Sequence, residues 1–157
     1  MQIQTGQTLE LHNVLSYRAK MTQQEFAAKA QEIDARLREQ GAQRVGSSAT
    51  ATFSVEPGAH GPVMDVEILI PLNKEITLPE GCVWKPHFLL TNALVVRHVG
   101  SPATMQESAN ALNVYISEHQ LTPITVGYNV TVKEPKTPLE LDEMIVDIYV
   151  GVSPNIL

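Results

Sequence analysis

The sequence predicts an α+β fold: a tandem duplication of a β-α-β-β unit, mostly antiparallel, with pseudo-two-fold symmetry between the copies. Three observations predict it. First, MDVEILIPL (64–72) and MIVDIYVGV (144–152) spell nearly the same strand, with Glu67 aligned on Asp147. Second, a shift of 79 places lays HNVLSYR (12–18) on TNALVVR (91–97), matching Asn13 with Asn92, Leu15 with Leu94 and Arg18 with Arg97. Third, the helical segments that follow share one apolar stripe at the same shift. Self-similarity at a fixed offset marks a repeated supersecondary unit.

The elements follow in order. HNVLSYR and TNALVVR are short runs rich in β-branched and aliphatic residues, bounded by polar ones, and read as strands. In TQQEFAAKAQEIDARLREQG, residues Phe26, Ala30, Ile33 and Leu37 recur at helical spacing; adding 79 gives Met105, Ala109, Leu112 and Ile116. Thr22 with Glu25 has the spacing of a capping box, in which each side chain satisfies a backbone N–H at the helix start. Thr104 with Glu107 offers the same device, and Ser101-Pro102 an alternative start one turn earlier. Gly41 suits the left-handed residue that closes the first helix. The second helix lacks that glycine and exits through HQLTPITVG, where Pro123 helps end it. SSATATFSV (47–55) and YNVTVKE (128–134) then read as matching strands, each preceded by glycine. Turn-rich EPGAHGP and EPKTPLELD lead into the two strands quoted first.

One helix can cover only one face of a small sheet, and a single unit has too small a core to stand alone. The 157 residues are therefore expected to form one domain of two repeats, about 9–72 and 88–152, joined by a linker at 73–87. A cleft between the repeats is the expected site. The apolar tails, the C-terminal one ending in PNIL, are expected to pack on the domain or on a neighbour.

Composition narrows the function. Hydrophobic residues at 43% support a sizeable core, and the net charge of −6 comes without any Lys/Arg cluster, so direct nucleic-acid binding is not expected. A neutral or cationic partner suits that balance. The single cysteine, Cys82, excludes an intramolecular disulfide and a cysteine-based zinc site, and with no adjacent histidine it reads as a buried or incidental thiol. No basic-then-apolar leader opens the chain and no apolar run is long enough for a membrane helix, so a cytoplasmic protein is expected.

Strand side chains alternate faces. Met64, Val66, Ile68 and Ile70, like Met144, Val146, Ile148 and Val150, are expected to pack beneath the helices. Asp65, Glu67 and Leu69, with Ile145, Asp147 and Tyr149, take the other face. An acid at the centre of such a mixed face fits either solvent exposure or a ligand cleft. The acid recurs at the equivalent step of both halves, and Tyr128, Tyr149 and Trp84 can supply aromatic walls. A carboxylate among aromatic faces favours organic cations, and when partly buried it can also act as a general base. Trp84 reads equally as a lid or as a plug that ties the linker to the core.

The five histidines show neither i, i+4 helical spacing nor an HExxH context, and no metal site or cofactor is expected. His98 reads as structural and His60 as an exposed turn residue. Glycine-rich phosphate loops and nucleophile elbows are absent, so no catalytic residue is assigned.

From residue 9 to 152 the chain resembles the GyrI-like family, the small-molecule-binding domain of many bacterial multidrug-responsive transcription regulators. The resemblance rests on ALVVRHVGSPATMQESANALNVYISEHQLTPITVGYNV, with its strand, His-x-Gly turn, long helix and glycine-preceded aromatic strand, and on the acidic strands VDIYVGV and VEILIPL. It implies a pocket at the junction of the repeats and an acidic residue on the last strand that pairs with cationic aromatic compounds. Asp147 holds that position, one methylene shorter than the family's glutamate; Glu67 is its first-half equivalent, and Tyr128 matches the family's aromatic. Filled by its two repeats, the chain is expected to lack the helix-turn-helix module of the regulators. It resembles instead the stand-alone members, which bind or sequester small molecules, modulate DNA gyrase, or hydrolyse cyclopropane-containing compounds. HNVLSY and MDVEILIPL are also similar to an uncharacterised Gram-positive family encoded near polymorphic toxins.

The leading expectation is a stand-alone binder of a hydrophobic or cationic small molecule, with Glu67 and Asp147 supplying charge and Tyr128, Tyr149 and Trp84 supplying walls. Two alternatives stand beside it. One is an accessory protein with a protein partner, in gyrase modulation or toxin association; the other is a hydrolase in which Glu67 or Asp147 activates water.

Overall fold

The computed structural model describes residues 2–134 and 136–153. The fold is mixed α+β, and the strands pair antiparallel. Contacts divide the chain into two compact units. One runs from Leu11 to Phe88; the other joins the first ten residues to everything from Leu89 onward.

The Leu11–Phe88 unit holds most of β1 (Ile3–Met21), then α1 (Gln23–Glu39), β2 (Ala49–Glu56), β3 (Val63–Pro71) and the start of β4 (Cys82–Val99). Its strands lie in the order β1–β3–β2, so β3 is central. Ile33 and Leu37 of α1 pack on Leu15, Ile68, Ile70 and Leu72, with Phe26 at the margin. The capping box is present: Thr22 Oγ1 accepts from the Glu25 N–H at 3.2 Å, and Glu25 Oε1 accepts from the Thr22 N–H at 3.1 Å. Gly41, at φ 66°, closes the helix in the left-handed region that glycine enters without steric cost.

The other unit holds the rest of β4, a 3-10 turn (Pro102–Thr104), α2 (Met105–Glu118), β5 (Tyr128–Lys133), a second 3-10 turn (Pro138–Glu143) and β6 (Ile145–Gly151). Its order is β4–β6–β5, with β6 central. Leu112 and Ile116 of α2 pack on Leu94, Val96, Met144, Val146, Ile148 and Val150, and Ile3 of β1 joins this cluster. PNIL lies outside the described residues.

Local irregularities recur at matched positions. Asn13 and Asn92 both carry positive φ, at 55° and 51°; asparagine tolerates that region better than most side chains. Bulges fall at Thr52/Ser54 and at Thr131/Lys133. Isolated bridges link Arg44 to Leu72 and Pro123 to Val152.

Two expectations need correction. Thr104 makes no side-chain cap bond; the 3-10 turn precedes α2, with Ser101 Oγ accepting from the Ala103 N–H at 3.2 Å. Pro102, with its fixed φ, starts the helical path a turn earlier, and Ser101 takes the capping role from Thr104. The stretch 73–87 is also more regular than a linker, because β4 begins at Cys82. The second helix, lacking a glycine, is followed by Gln120 at φ 53°.

Candidate functional site

The acidic positions lie on central strands, flanked on both sides. Glu67 has Arg18 of β1 and Ala51 of β2 as cross-strand partners; Asp147 has Arg97 of β4 and Val130 of β5. Flanking on both sides is why neither acid is solvated: both residues are buried.

A buried carboxylate is costly unless its lone pairs and charge are met. The two units meet that demand differently. Asp147 is gripped side-on by Arg97, with Nε donating to Oδ1 at 2.8 Å and Nη2 to Oδ2 at 2.9 Å. Glu67 receives the Ser16 hydroxyl and the Lys85 ammonium, both on Oε2 at 2.7 Å. Arg18, the sequence counterpart of Arg97, turns instead to Asp65, donating at 3.1 and 3.0 Å, and its guanidinium lies 3.7 Å from the centre of the Phe53 ring.

The difference follows from single residues. Asp65 corresponds to Ile145, which offers Arg97 no second carboxylate, and Ser16 corresponds to Val95, which has no hydroxyl. Among the described residues, no buried side-chain nitrogen or oxygen lacks a hydrogen-bond partner. Ion pairing favours the charged forms: Arg18 holds the Asp65 carboxyl below its ordinary value, and Asp147 holds the Arg97 guanidinium above its own.

Asp147 and Arg97 line a hollow of about 310 Å³ together with Val95, Gln2 and Gln4. Its walls carry two amides, a guanidinium and a carboxylate, a polar lining at the small end of ligand-site volumes. Within the pair the solvent-facing partner is the cation: the Arg97 side chain is 56% exposed against 11% for Asp147. Lys85 and Glu67 repeat the contrast, at 36% and 9%.

The aromatic residues separate. Tyr128 and Tyr149 are direct cross-strand partners between β5 and β6, and Tyr149 also faces Val95 of β4, two pairs along from Arg97–Asp147. The Tyr149 phenol is held above its ordinary value by burial first and by the Asp147 charge second. Trp84, like Tyr17, Phe26 and Leu78, packs against the helix-side core cluster of the other unit. Cys82 packs there too, its thiol pushed up chiefly by burial. His98 is buried between Ser108 Oγ at 2.8 Å and the Ser101 carbonyl at 2.9 Å, a structural placement; His60 is exposed.

Ser16 and Lys85 were not singled out in the sequence. Ser16 could have been found from strand parity, two residues before Arg18 on the acid-bearing face. Lys85 lay hidden in the stretch read as a linker. No helix of the described residues is long and apolar enough to cross a membrane.

No protein-family model matches the sequence, and no curated protein matches it. Solved structures do match in fold. The C-terminal domain of EcmrR aligns with a TM-score of 0.74 at 14% identity, over 98% of this chain and 99% of that domain. In the EcmrR–DNA complex the values are 0.71 and 15% over 96% of this chain, which spans only 57% of the EcmrR chain there. A hydrolase from Listeria innocua aligns at 0.59 and 12%, over 97% of this chain and 91% of that one. SAV2435 bound to tetraphenylphosphonium aligns at 0.52 and 14%, over 97% and 93%. At such identities the likeness is one of fold.

Proposed function

We propose that this chain, which has the GyrI-like effector-binding fold, is a small-molecule-binding module whose ligand carries a positive charge next to an apolar body. The observation that carries the reading is the Asp147–Arg97 pair at the wall of a hollow, with its anion buried and its cation half in water. A ligand cation can take the place of the guanidinium, which then returns to solvent at low cost, while the strand keeps the carboxylate fixed. Tyr149 follows Asp147 by two residues on β6, on the same face of the strand, and is the aromatic residue this reading assigns to the cation. The neighbour bound to tetraphenylphosphonium supports the choice of charge. Glu67, with Lys85 as its exchangeable cation, is the equivalent position of the other unit.

The test is isothermal titration with tetraphenylphosphonium, using triphenylphosphine oxide as the neutral control. The expected result is cation-selective binding that Asp147→Asn removes and Arg97→Gln tightens, since the latter deletes the internal competitor. Equal binding by wild type and Asp147→Asn, or loss of binding in Arg97→Gln, would overturn the exchange.

A second reading is favoured by the convergence of Ser16 and Lys85 on one oxygen of Glu67 and by the Listeria innocua neighbour described as a hydrolase. In that reading Glu67 activates water against an electrophilic ligand. Turnover of p-nitrophenyl acetate, abolished by Glu67→Gln with the fold intact, would support it; wild-type protein no faster than buffer would remove it.

A further inference from the structure

We propose that a hollow beside the end of α2 binds a small, neutral, N–H-bearing aromatic molecule of indole size. The hollow measures about 260 Å³ and lies wholly in the unit that joins the first ten residues to Leu89 onward. Leu94, Leu121 and Val152 give it apolar walls, and Tyr115 and His119 line it as a stacked ring pair with centroids 3.9 Å apart. Thr5, Asn92 and Ser153 add polar groups. Among the described residues no Asp, Glu, Lys or Arg lines it, in contrast to the hollow at Asp147.

The duplication shows what such a place accommodates. A shift of 79 lays Thr5 on Trp84, and β1 and β4 begin in that register, at Ile3 and Cys82. Ile3 and Cys82 each rest on the helix-side core cluster of their own unit. Two residues on, Trp84 rests on its cluster as well, whereas Thr5 lines the hollow. The backbones stay matched nearby: the N–H groups of Asn73 and Ser153 donate to the carbonyls of Gln43 and Thr122 at 3.0 and 2.8 Å. Past Asn73 the Gln40 amide brackets Thr77, donating to its carbonyl at 2.7 Å and accepting from its N–H at 2.8 Å. Ile76 and Leu78 on either side belong with the core cluster there. One unit thus places an indole and two aliphatic side chains where the described residues of the other leave a hollow.

His119 stands at the place of Gln40, and its Nδ1 meets the Tyr115 carbonyl at 3.0 Å. A carbonyl only accepts, so Nδ1 carries the proton, and the neutral imidazole keeps Nε2 as an acceptor for a ring N–H. Tyr115 and His119 favour an aromatic guest, since rings gain from offset or edge-to-face contact with rings. The volume falls below the roughly 300–1,000 Å³ of drug-sized sites, which limits the guest to a fragment. Gln2 and Gln4, of opposite parity to Ile3 and Thr5 on β1, line the Asp147 hollow. The two hollows share no lining residue, so this inference and the effector reading can each fail alone.

The experiment is titration of the full, isotope-labelled chain with indole, followed by amide proton–nitrogen correlation spectra, with N-methylindole and cyclohexanol as controls. Saturable shifts at Thr5, Tyr115, His119 and Leu121 are expected with indole, and none with cyclohexanol. N-methylindole should bind about two- to tenfold more weakly, the factor that one hydrogen bond is worth. His119→Phe keeps a ring but removes the acceptor, so it should lower indole affinity by that factor and leave N-methylindole unchanged. Thr5→Trp supplies from within the indole that the other unit already carries, and should abolish the shifts. Its thermal melt should be no lower than wild type, which separates a filled hollow from a lost fold. Four results would each overturn the site: no saturable shift, indole binding by Thr5→Trp at wild-type strength, shifts centred on Val95 and Asp147, or binding only after the chain is shortened to end at Ser153. The last would assign the hollow to residues 154–157, where Ile156 aligns on Ile76.

Discussion

Arg97 and Asp147 are direct partners across β4 and β6, and the guanidinium meets both carboxylate oxygens within 2.9 Å. The two ends of this pair are unequal, because the anion is buried and the cation half exposed. Arg97→Ala therefore strands a buried charge and should cost about 1–3 kcal/mol. Asp147→Asn leaves a guanidinium that water can solvate and an amide of the same shape, and should cost about 1 kcal/mol or less. Urea denaturation of the two variants checks the order; the reverse order would mean that the guanidinium, not the carboxylate, is the desolvated end.

Around Glu67 the same logic ranks the hydroxyl above the ammonium. Ser16 is buried and donates at 2.7 Å, so Ser16→Ala should cost about 1 kcal/mol. Lys85 reaches the same oxygen from a position more than a third exposed, and Lys85→Ala should fall within about 0–1 kcal/mol. Paired urea titrations at low and high salt would show the Lys85 contribution shrinking with salt and the Ser16 contribution holding.

The helix starts differ in a way that substitution can read. Thr22→Ala removes a working capping box and should destabilise by about 1 kcal/mol, whereas Thr104→Ala should change stability far less. Ser101→Ala is the variant expected to weaken the start of the second helical segment. Thermal melts of the three variants give the order directly.

Alkaline pH should weaken the fold through two groups. Burial raises both the Cys82 thiol and the Tyr149 phenol above their ordinary values, so the folded chain keeps these protons longer than the unfolded chain does. The stability each contributes is complete below its unfolded value and is lost as pH rises towards its folded one. Urea midpoints measured between roughly pH 8 and 11 should fall less steeply in Cys82→Ser and Tyr149→Phe than in wild type. Cys82 should also react with iodoacetamide more slowly than a free thiol at the same pH, since the thiolate is the nucleophile.

Much of this was legible in the sequence, for a physical reason. Period-two alternation put Ile68, Ile70, Ile148 and Val150 under the helices, and it put Glu67 and Asp147 on the opposite face, where they lie. The capping box at Thr22 needs only four consecutive residues and could be read directly. What could not be read depends on diagonal neighbours across a sheet. Whether an arginine takes one acid or another turns on Asp65 against Ile145, and the hydroxyl on Glu67 turns on Ser16 against Val95. Lys85 was lost because proline and glycine nearby made a strand look like a loop. Trp84 shares that stretch, and strand parity sends it to the face opposite Lys85.

The first ten residues belong with the second half of the chain, while residues 82–88 belong with the first. A cut near residue 80 would therefore not release two modules. The later fragment would lack Ile3, which rests on its core cluster, and the earlier one would lack Cys82 and Trp84, which rest on its own. Limited proteolysis near residue 80 should thus yield pieces that stay associated until denatured. In genetic terms, a fusion or shuffling boundary placed near residue 80 would cut into both cores instead of passing between them.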